Sequence, residues 1–313
     1  MNLINLSETL PYHACVATIG FFDGVHVGHQ FLIEKLRGYA QSMDLSSLLI
    51  TFRDHPRKVM QSAYQPLLLS TCEEKIQRLS MTKVDDLLVL DFTPEMAKMT
   101  AWQFMKEVLK EKLHVKVLVI GYDHRFGHQR SEKFEDYVRY GRDLGIEVVR
   151  ADAFSKNDIH VSSSMVRSCL IEGEIGIATQ CLGYHYPLSG IVEQGFRIGS
   201  ELGYPTANIC PSDGCKLVPK DGVYAVKVSV GNETTKWWGM LNIGRRPTME
   251  NGDNRTIEVH VIDYQGDLYG QQVTLEFVSR LRDEKKFRNK NELVSQLRMD
   301  EAMVRKISEK CSN

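Results

Sequence analysis

Between Ala14 and about Gly183, short apolar runs alternate with stretches of helical period; beyond Gly183, alternating runs follow one another across glycines without helices between them. In the first part "SLLITF", "LLVLDF", "VKVLVIG" and "EVVRADAF" read as strands, and "WQFMKEVLKEKL" and "EKFEDYVRYGRDLG" as helices between them. Parallel strands need long crossovers, which helices supply, so this alternation predicts a parallel sheet covered on both faces. In the second part "GVYAVKVSV", "KWWGMLNIG", "TIEVHVIDY" and "QQVTLEFVSRL" read as antiparallel strands closing into a small barrel. The tail "NELVSQLRMDEAMVRK" carries Leu293, Leu297 and Val304 on a helical repeat and should pack against that barrel. The fold class is α/β, with a domain border near residues 183 to 187 and no internal repeat.

Ligands of a doubly wound sheet collect at the carboxyl ends of its strands. Four polar segments fall there: "GFFDGVHVGH", "TFRDHP", "GYDHRFGHQ" and "VSSSMVR". The first joins the apolar run Ala14–Gly20 to a helix expected to start between His26 and His29, with Leu32, Leu36, Tyr39, Ala40 and Met43 at its apolar spacing. Such a turn aims free N–H groups and the positive end of the helix dipole at one spot. Gly28 admits a close ligand, and residues three apart share a helical face, so His26 and His29 could meet one phosphate. A capped helix with two solvent-facing histidines fits the bare pattern equally well. A dinuclear metal site would lack the acids or cysteines to complete it.

The remaining constellations are individually ambiguous. Ser162, Ser163 and Ser164, followed by Arg167, either cap a helix or grip phosphate oxygens. "GYDHRFG" sets Asp123 and His124 in a polar turn that Phe126 could anchor. Thr206 and Asn208 of "LGYPTANI" lie on one strand face and suit a magnesium ion completed by water and phosphate; an edge strand begun by Pro205 is the plain alternative. "NIGRRPT" adds Arg245 and Arg246, and Glu258 shares a strand face with His260, where a carboxylate could accept a substrate proton. Neither a GxxxxGK[ST] loop nor kinase-type HRD and DFG motifs are present, so phosphoryl transfer here would use another design.

Charge narrows the partners. Bases (39) and acids (40) nearly cancel, leaving a net charge of −1 and no electrostatic footprint for nucleic acid. No apolar run approaches the ~20 residues of a membrane span and no secretory leader pattern is seen, so a soluble, cytoplasmic protein is expected, with no signal for an oligomeric state. Seven cysteines without a CxxC pair point to reduced thiols.

Taken in order and spacing, "GFFDGVHVGHQ", "GYDHRFG", "VSSSMVR", "LGYPTANI", "GVYA", "NIGRRPT", "EVHVIDY", "DLYGQ" and "LRDEKKF" closely resemble the prokaryotic bifunctional riboflavin kinase/FMN adenylyltransferases, or FAD synthetases, over nearly the whole chain. The resemblance implies a Rossmann-like nucleotidyltransferase domain over 1–183, then an antiparallel β-barrel kinase domain with a C-terminal helix over 184–313. It implies riboflavin, FMN and ATP as substrates, with Mg2+. Gly20, Phe22, Asp23, His26, Gly28, His29, Asp123, Ser162, Ser163, Ser164 and Arg167 would form the adenylyl-transfer nucleotide site, with His26 and His29 catalytic. Thr206 and Asn208 would hold the kinase's nucleotide and metal, and Glu258 would be its base. The chain departs from the family pattern at Asp54, where proline is common, and at His124, where phenylalanine is common. Ser164 replaces a threonine, and Ser200 stands where arginine is frequent. Two rivals remain: a riboflavin kinase with an inactive first domain, and a non-catalytic flavin- or nucleotide-binding regulator.

Overall fold

The computed structural model describes residues 1–4, 13–60, 67–122, 124–128, 131–152, 154–156, 159–193, 202–231, 233–245 and 255–312. The chain divides into two compact units, Met1–Ser163 and Ser164–Asn313.

The first unit is built on six parallel strands: β1 (Asn2–Ile4), β2 (Cys15–Ile19), β3 (Ser46–Phe52), β4 (Asp86–Leu90), β5 (Val115–Ile120) and β6 (Glu147–Arg150), in the order β1-β4-β3-β2-β5-β6. Every residue of β2 is buried, as expected of a strand covered on both faces. On one face Ala17, Leu48 and Ile50 pack with Phe104, Leu109 and Tyr137; on the other Val16, Leu49 and Val117 pack with Leu32, Leu36 and Leu79. The helices in chain order are α1 (Val27–Ser42), α2 (Pro56–Met60), α3 (Cys72–Ser80), α4 (Pro94–Lys98), α5 (Ala101–Phe104) and α6 (Phe134–Leu144). A small hairpin, β7 (Ser155–Lys156) with β8 (Ile159–His160), precedes the end of the unit.

Three local expectations change. The buried row of α1 is Leu32, Ile33, Leu36 and Ala40; Tyr39 lies at the edge of that stripe and Met43 past the last turn, so both are exposed. The helix read from "WQFMKEVLKEKL" winds as α5 and then widens into a π-type turn over Met105–Lys110, which carries Met105, Val108 and Leu109 inward. The edge strand β1 falls in the sequence ahead of the first predicted strand.

The second unit contains most of α7 (Ser163–Glu172), then α8 (Ile175–Leu182), which ends at the left-handed Gly183 and packs on two barrel strands, β9 (Tyr186–Glu193) and β14 (Gln272–Arg282). The barrel strands are β9 (Tyr186–Glu193), β10 (Ala207–Pro211), β11 (Gly222–Val230), β12 (Lys236–Arg245), β13 (Arg255–Val261) and β14 (Gln272–Arg282). They close in the order β10-β13-β12-β11-β14-β9, every neighbouring pair antiparallel. Closure leaves no edge strand: β10, begun two residues after Pro205, is paired on both sides. The final helix α9 (Lys290–Ser312) buries Val304 against Ala225, Met240 and Ile262. Among the described residues no helix is long and apolar enough to cross a membrane, and none of the seven cysteines is in a disulfide.

Candidate active sites

In the first unit β2 has β3 on one side and β5 on the other, and the chain leaves it in opposite directions, so a crevice opens at the carboxyl ends of β2 and β5. The turn after β2 fills that position. Gly20 donates its N–H to the Ile50 carbonyl at 3.0 Å; a Cβ there would stand 2.9 Å from the Phe22 ring. Phe22 (φ 54) and Val25 (φ 39) both adopt the left-handed region, which costs energy for side-chain-bearing residues. Asp23 offsets this. Its buried carboxylate accepts N–H bonds from Leu69 and Ser70, both at 3.0 Å, and the Ser70 hydroxyl accepts from Gly24 N–H at 3.1 Å. Asp23 therefore secures the turn itself.

His26 caps α1: its Nδ1 accepts the His29 N–H at 3.3 Å, which leaves the proton of a neutral His26 on Nε2. The His26 and His29 rings stack with centroids 3.6 Å apart and planes 17° from parallel, and Phe22 meets His29 edge-on at 5.1 Å. Gly28 permits this, since a Cβ would come within 3.2 Å of the His26 ring and 3.3 Å of the Val161 carbonyl. His29 Nδ1 is buried without a hydrogen-bond partner. Burial first, then the nearby His26, His124 and Lys75, holds its imidazole well below the usual range, so His29 is neutral near pH 7. The two histidines thus share a face as expected, but the pair is a neutral, stacked one.

The serine run reaches the same turn through Ser163. Ser163 donates its hydroxyl to the Asp23 carbonyl at 3.0 Å; Ser162 is half-buried beside it. Ser164, exposed, and Arg167, half-buried, lie on the first turns of α7 within the second unit. Asp123 lies outside the described residues, as do Arg246 and Ser200.

Next to the turn is an aromatic cavity of about 390 Å3, walled by Phe21, Phe52, Phe92, Phe104, Phe126 and His124. Phe126 is fixed from behind: its N–H donates to the Tyr137 hydroxyl, that hydroxyl donates to the Phe126 carbonyl, both at 2.9 Å, and the two rings stack at 4.5 Å. Gly127 (φ 96) allows the loop to pass Ala101, whose backbone nitrogen would lie 2.6 Å from a Cβ. Such a slot, apolar with flat walls, suits a planar ring system. Its five phenylalanines come from five separate segments, so no local motif announces it.

In the second unit the strand register sets Asn208 beside Glu258 and Glu258 beside Asn242, giving a row of polar side chains across β10, β13 and β12. The residues flanking the row (Ala207, Val259 and Leu241) are buried in the barrel, so the row lies on its outer side. Thr206 and Asn208 bracket Ala207 and share that side. His260, two residues past Glu258, has Nδ1 2.8 Å from the Pro205 carbonyl and anchors the segment carrying Thr206. Tyr204 donates its hydroxyl to Glu301 of α9 at 3.1 Å. A cavity of about 280 Å3 is lined here by Thr206, Asn242, Glu258 and His260, with Leu293 and Leu297 of α9. One wall is set by a buried ion pair: Asp300 accepts from Arg282 Nη2 at 2.8 Å and from Gln296 at 2.9 Å. Asn242 and Asp300 carry no role in the sequence reading; register exposes the first, and the second occupies a position on the apolar repeat of α9. Arg245, singled out in the sequence, pairs with Asp221 at 3.3 Å.

A parallel sheet with a phosphate-type turn at its switch point, followed by a barrel whose oxygen-bearing row borders a cavity, defines a two-unit, ATP-dependent transferase. Comparison with known proteins agrees. The FAD synthetase family model matches residues 10–165, and the riboflavin kinase model matches residues 182–308. The bifunctional riboflavin kinase/FMN adenylyltransferase of Buchnera aphidicola subsp. Acyrthosiphon pisum is 35% identical over 93% of this chain and 92% of its own. That of Escherichia coli K12 is 33% identical over 96% and 95%. Among solved structures, a crystal structure described as a macrolide-efflux protein from Streptococcus pneumoniae superimposes with a TM-score of 0.87 at 30% identity, covering 97% of this chain and 98% of that one. The chain belongs to the family of bifunctional riboflavin kinase/FMN adenylyltransferases.

Proposed function

We propose that the two half-reactions of FAD formation are carried by separate side-chain constellations, one on each side of residue 183. The observation that supports this most is that each unit holds its own cavity beside its own polar constellation. In the barrel, the riboflavin 5′-hydroxyl oxygen attacks the γ-phosphorus of ATP, the bond to the ADP oxygen breaks, and Glu258 accepts the hydroxyl proton, giving FMN and ADP. Asn208 and Asn242 flank Glu258 on the two neighbouring strands.

In the first unit, a phosphate oxygen of FMN attacks the α-phosphorus of a second ATP, and pyrophosphate leaves. The isoalloxazine ring lies in the aromatic cavity, and His26 Nε2–H, His29 and the start of α1 hold the phosphates. Ser162 would add to that grip, whereas Ser163 and Asp23 keep the turn in shape. The protein's task in both steps is chiefly positioning and charge stabilisation. Thr206 and Asn208 offer neutral oxygens only, a donor set that fits Mg2+ sharing its shell with water and phosphate; the ion would supply charge neutralisation at the ATP phosphates.

Incubation with riboflavin, ATP and Mg2+, followed by chromatography of the flavins, tests the reading. FAD is expected. FMN alone would mean a kinase with an inactive first domain, and unchanged riboflavin would mean a binding protein.

A further inference from the structure

Lys75, in the middle of α3, is 1% exposed. Its ammonium donates to the carbonyl of Phe52, the last residue of β3, at 2.6 Å, and stands 4.0 Å from the centre of the Phe21 ring, just beyond β2. Phe21 and Phe52 are two walls of the aromatic cavity. The Thr51 hydroxyl, bonded to the Phe21 carbonyl at 3.1 Å, makes a second link between the same strand ends. An apolar side chain of similar length would fill the space without desolvating a charge, so packing alone does not call for an amine there. The charged and titratable groups facing it are Asp23 from the turn after β2, Arg53 and Asp54 past β3, Cys72 on α3 itself, and His29 on α1.

We propose that Lys75 is a positioning residue of the adenylyl-transfer site: its ammonium fixes the Phe21 and Phe52 walls relative to each other and sets a positive charge beside the histidine pair. The proposal rests on the reading of the aromatic cavity as the flavin site. Cation–π attraction holds Phe21, the hydrogen bond holds the end of β3, and both need the protonated form to act at full strength. Burial lowers the ammonium to about 8, so the charge is present near neutrality and lost just above it.

The test is steady-state adenylylation with FMN supplied directly, for wild type, Lys75→Met, Lys75→Gln and Phe92→Ala, with riboflavin phosphorylation measured on each preparation as a check on the barrel. Lys75→Met should raise KM for FMN about tenfold to a hundredfold, the scale of a small misplacement of binding groups. Lys75→Gln, which keeps a donor for the Phe52 carbonyl, should recover part of that loss. In wild type kcat/KM for FMN should fall as pH rises through about 8, and this limb should be missing in Lys75→Gln. Superimposable KM values and pH profiles for wild type and Lys75→Gln would overturn the proposal, and that comparison stands even if Lys75→Met does not fold. Phe92→Ala separates the two layers. An unchanged KM for FMN in it overturns the cavity reading, whereas a raised KM there with unaltered Lys75 variants overturns only the role of Lys75.

Discussion

Burial lowers the pKa of both His29 and Lys75, and the sign of such a shift has consequences for stability. The folded pKa of Lys75, about 8, lies below its ordinary 10.5, so between those values the unfolded chain binds more protons and stability rises with pH. A shift of that size corresponds to about 3 kcal/mol of destabilisation from the buried cation near neutral pH. Urea unfolding of wild type should therefore show the first unit gaining stability from about pH 8 to 10, a gain absent in Lys75→Met. Equal slopes would mean that the ammonium is not desolvated. Glu258 presents a different case. Removing its base should cut riboflavin phosphorylation roughly 10²- to 10⁴-fold in Glu258→Gln, while supplied FMN is still adenylylated. A near-normal phosphorylation rate would reduce Glu258 to a barrel residue. The facing of His26 with His29 and of Glu258 with His260 was legible because helical and strand periods decide it. The roles of Asp23 and Ser163 were not, since both depend on long-range bonds, to Leu69 and Ser70 in one case and across 140 residues in the other.

The turn after β2 shows how an element can hold a strained shape. Two left-handed residues, Phe22 and Val25, flank Asp23, and the bonds from Leu69 and Ser70 keep them there. Asp23→Ala leaves those buried N–H groups without an acceptor, about 1–3 kcal/mol of destabilisation. The variant should lower the unfolding midpoint of the first unit and abolish adenylylation, with riboflavin phosphorylation retained. Unaltered adenylylation would show that the turn keeps its form without Asp23. The strands β2 to β6 were readable from short, mostly apolar runs. The three-residue β1 is too short for any period to show, and β9 was read as a border because Pro187 and Gly190 interrupt it. The π-type turn after α5 keeps helical spacing nearly intact and so leaves no mark in the pattern.

The order of a parallel sheet and then a closed barrel was legible throughout, since the change from alternating helix and strand to strand alone is a property of long stretches. The cavities were not, because each gathers side chains from distant segments: Phe21, Phe52, Phe92 and Phe126 in one, Thr206, Asn242 and Glu258 in the other. The proposed function divides the labour between the two units, and we propose that FMN is released between the steps. The most direct measurement is a mixing experiment on His29→Ala and Glu258→Gln, given riboflavin, ATP and Mg2+ and followed by flavin chromatography. Alone, His29→Ala should accumulate FMN without FAD, and Glu258→Gln should leave riboflavin largely unconverted. Mixed, they should restore FAD, because FMN made by one protein is adenylylated by the other. If His29→Ala, still folded, makes no FMN, or if the mixture yields no FAD while Glu258→Gln converts supplied FMN, the assignment of one half-reaction to each unit with free FMN between them is contradicted.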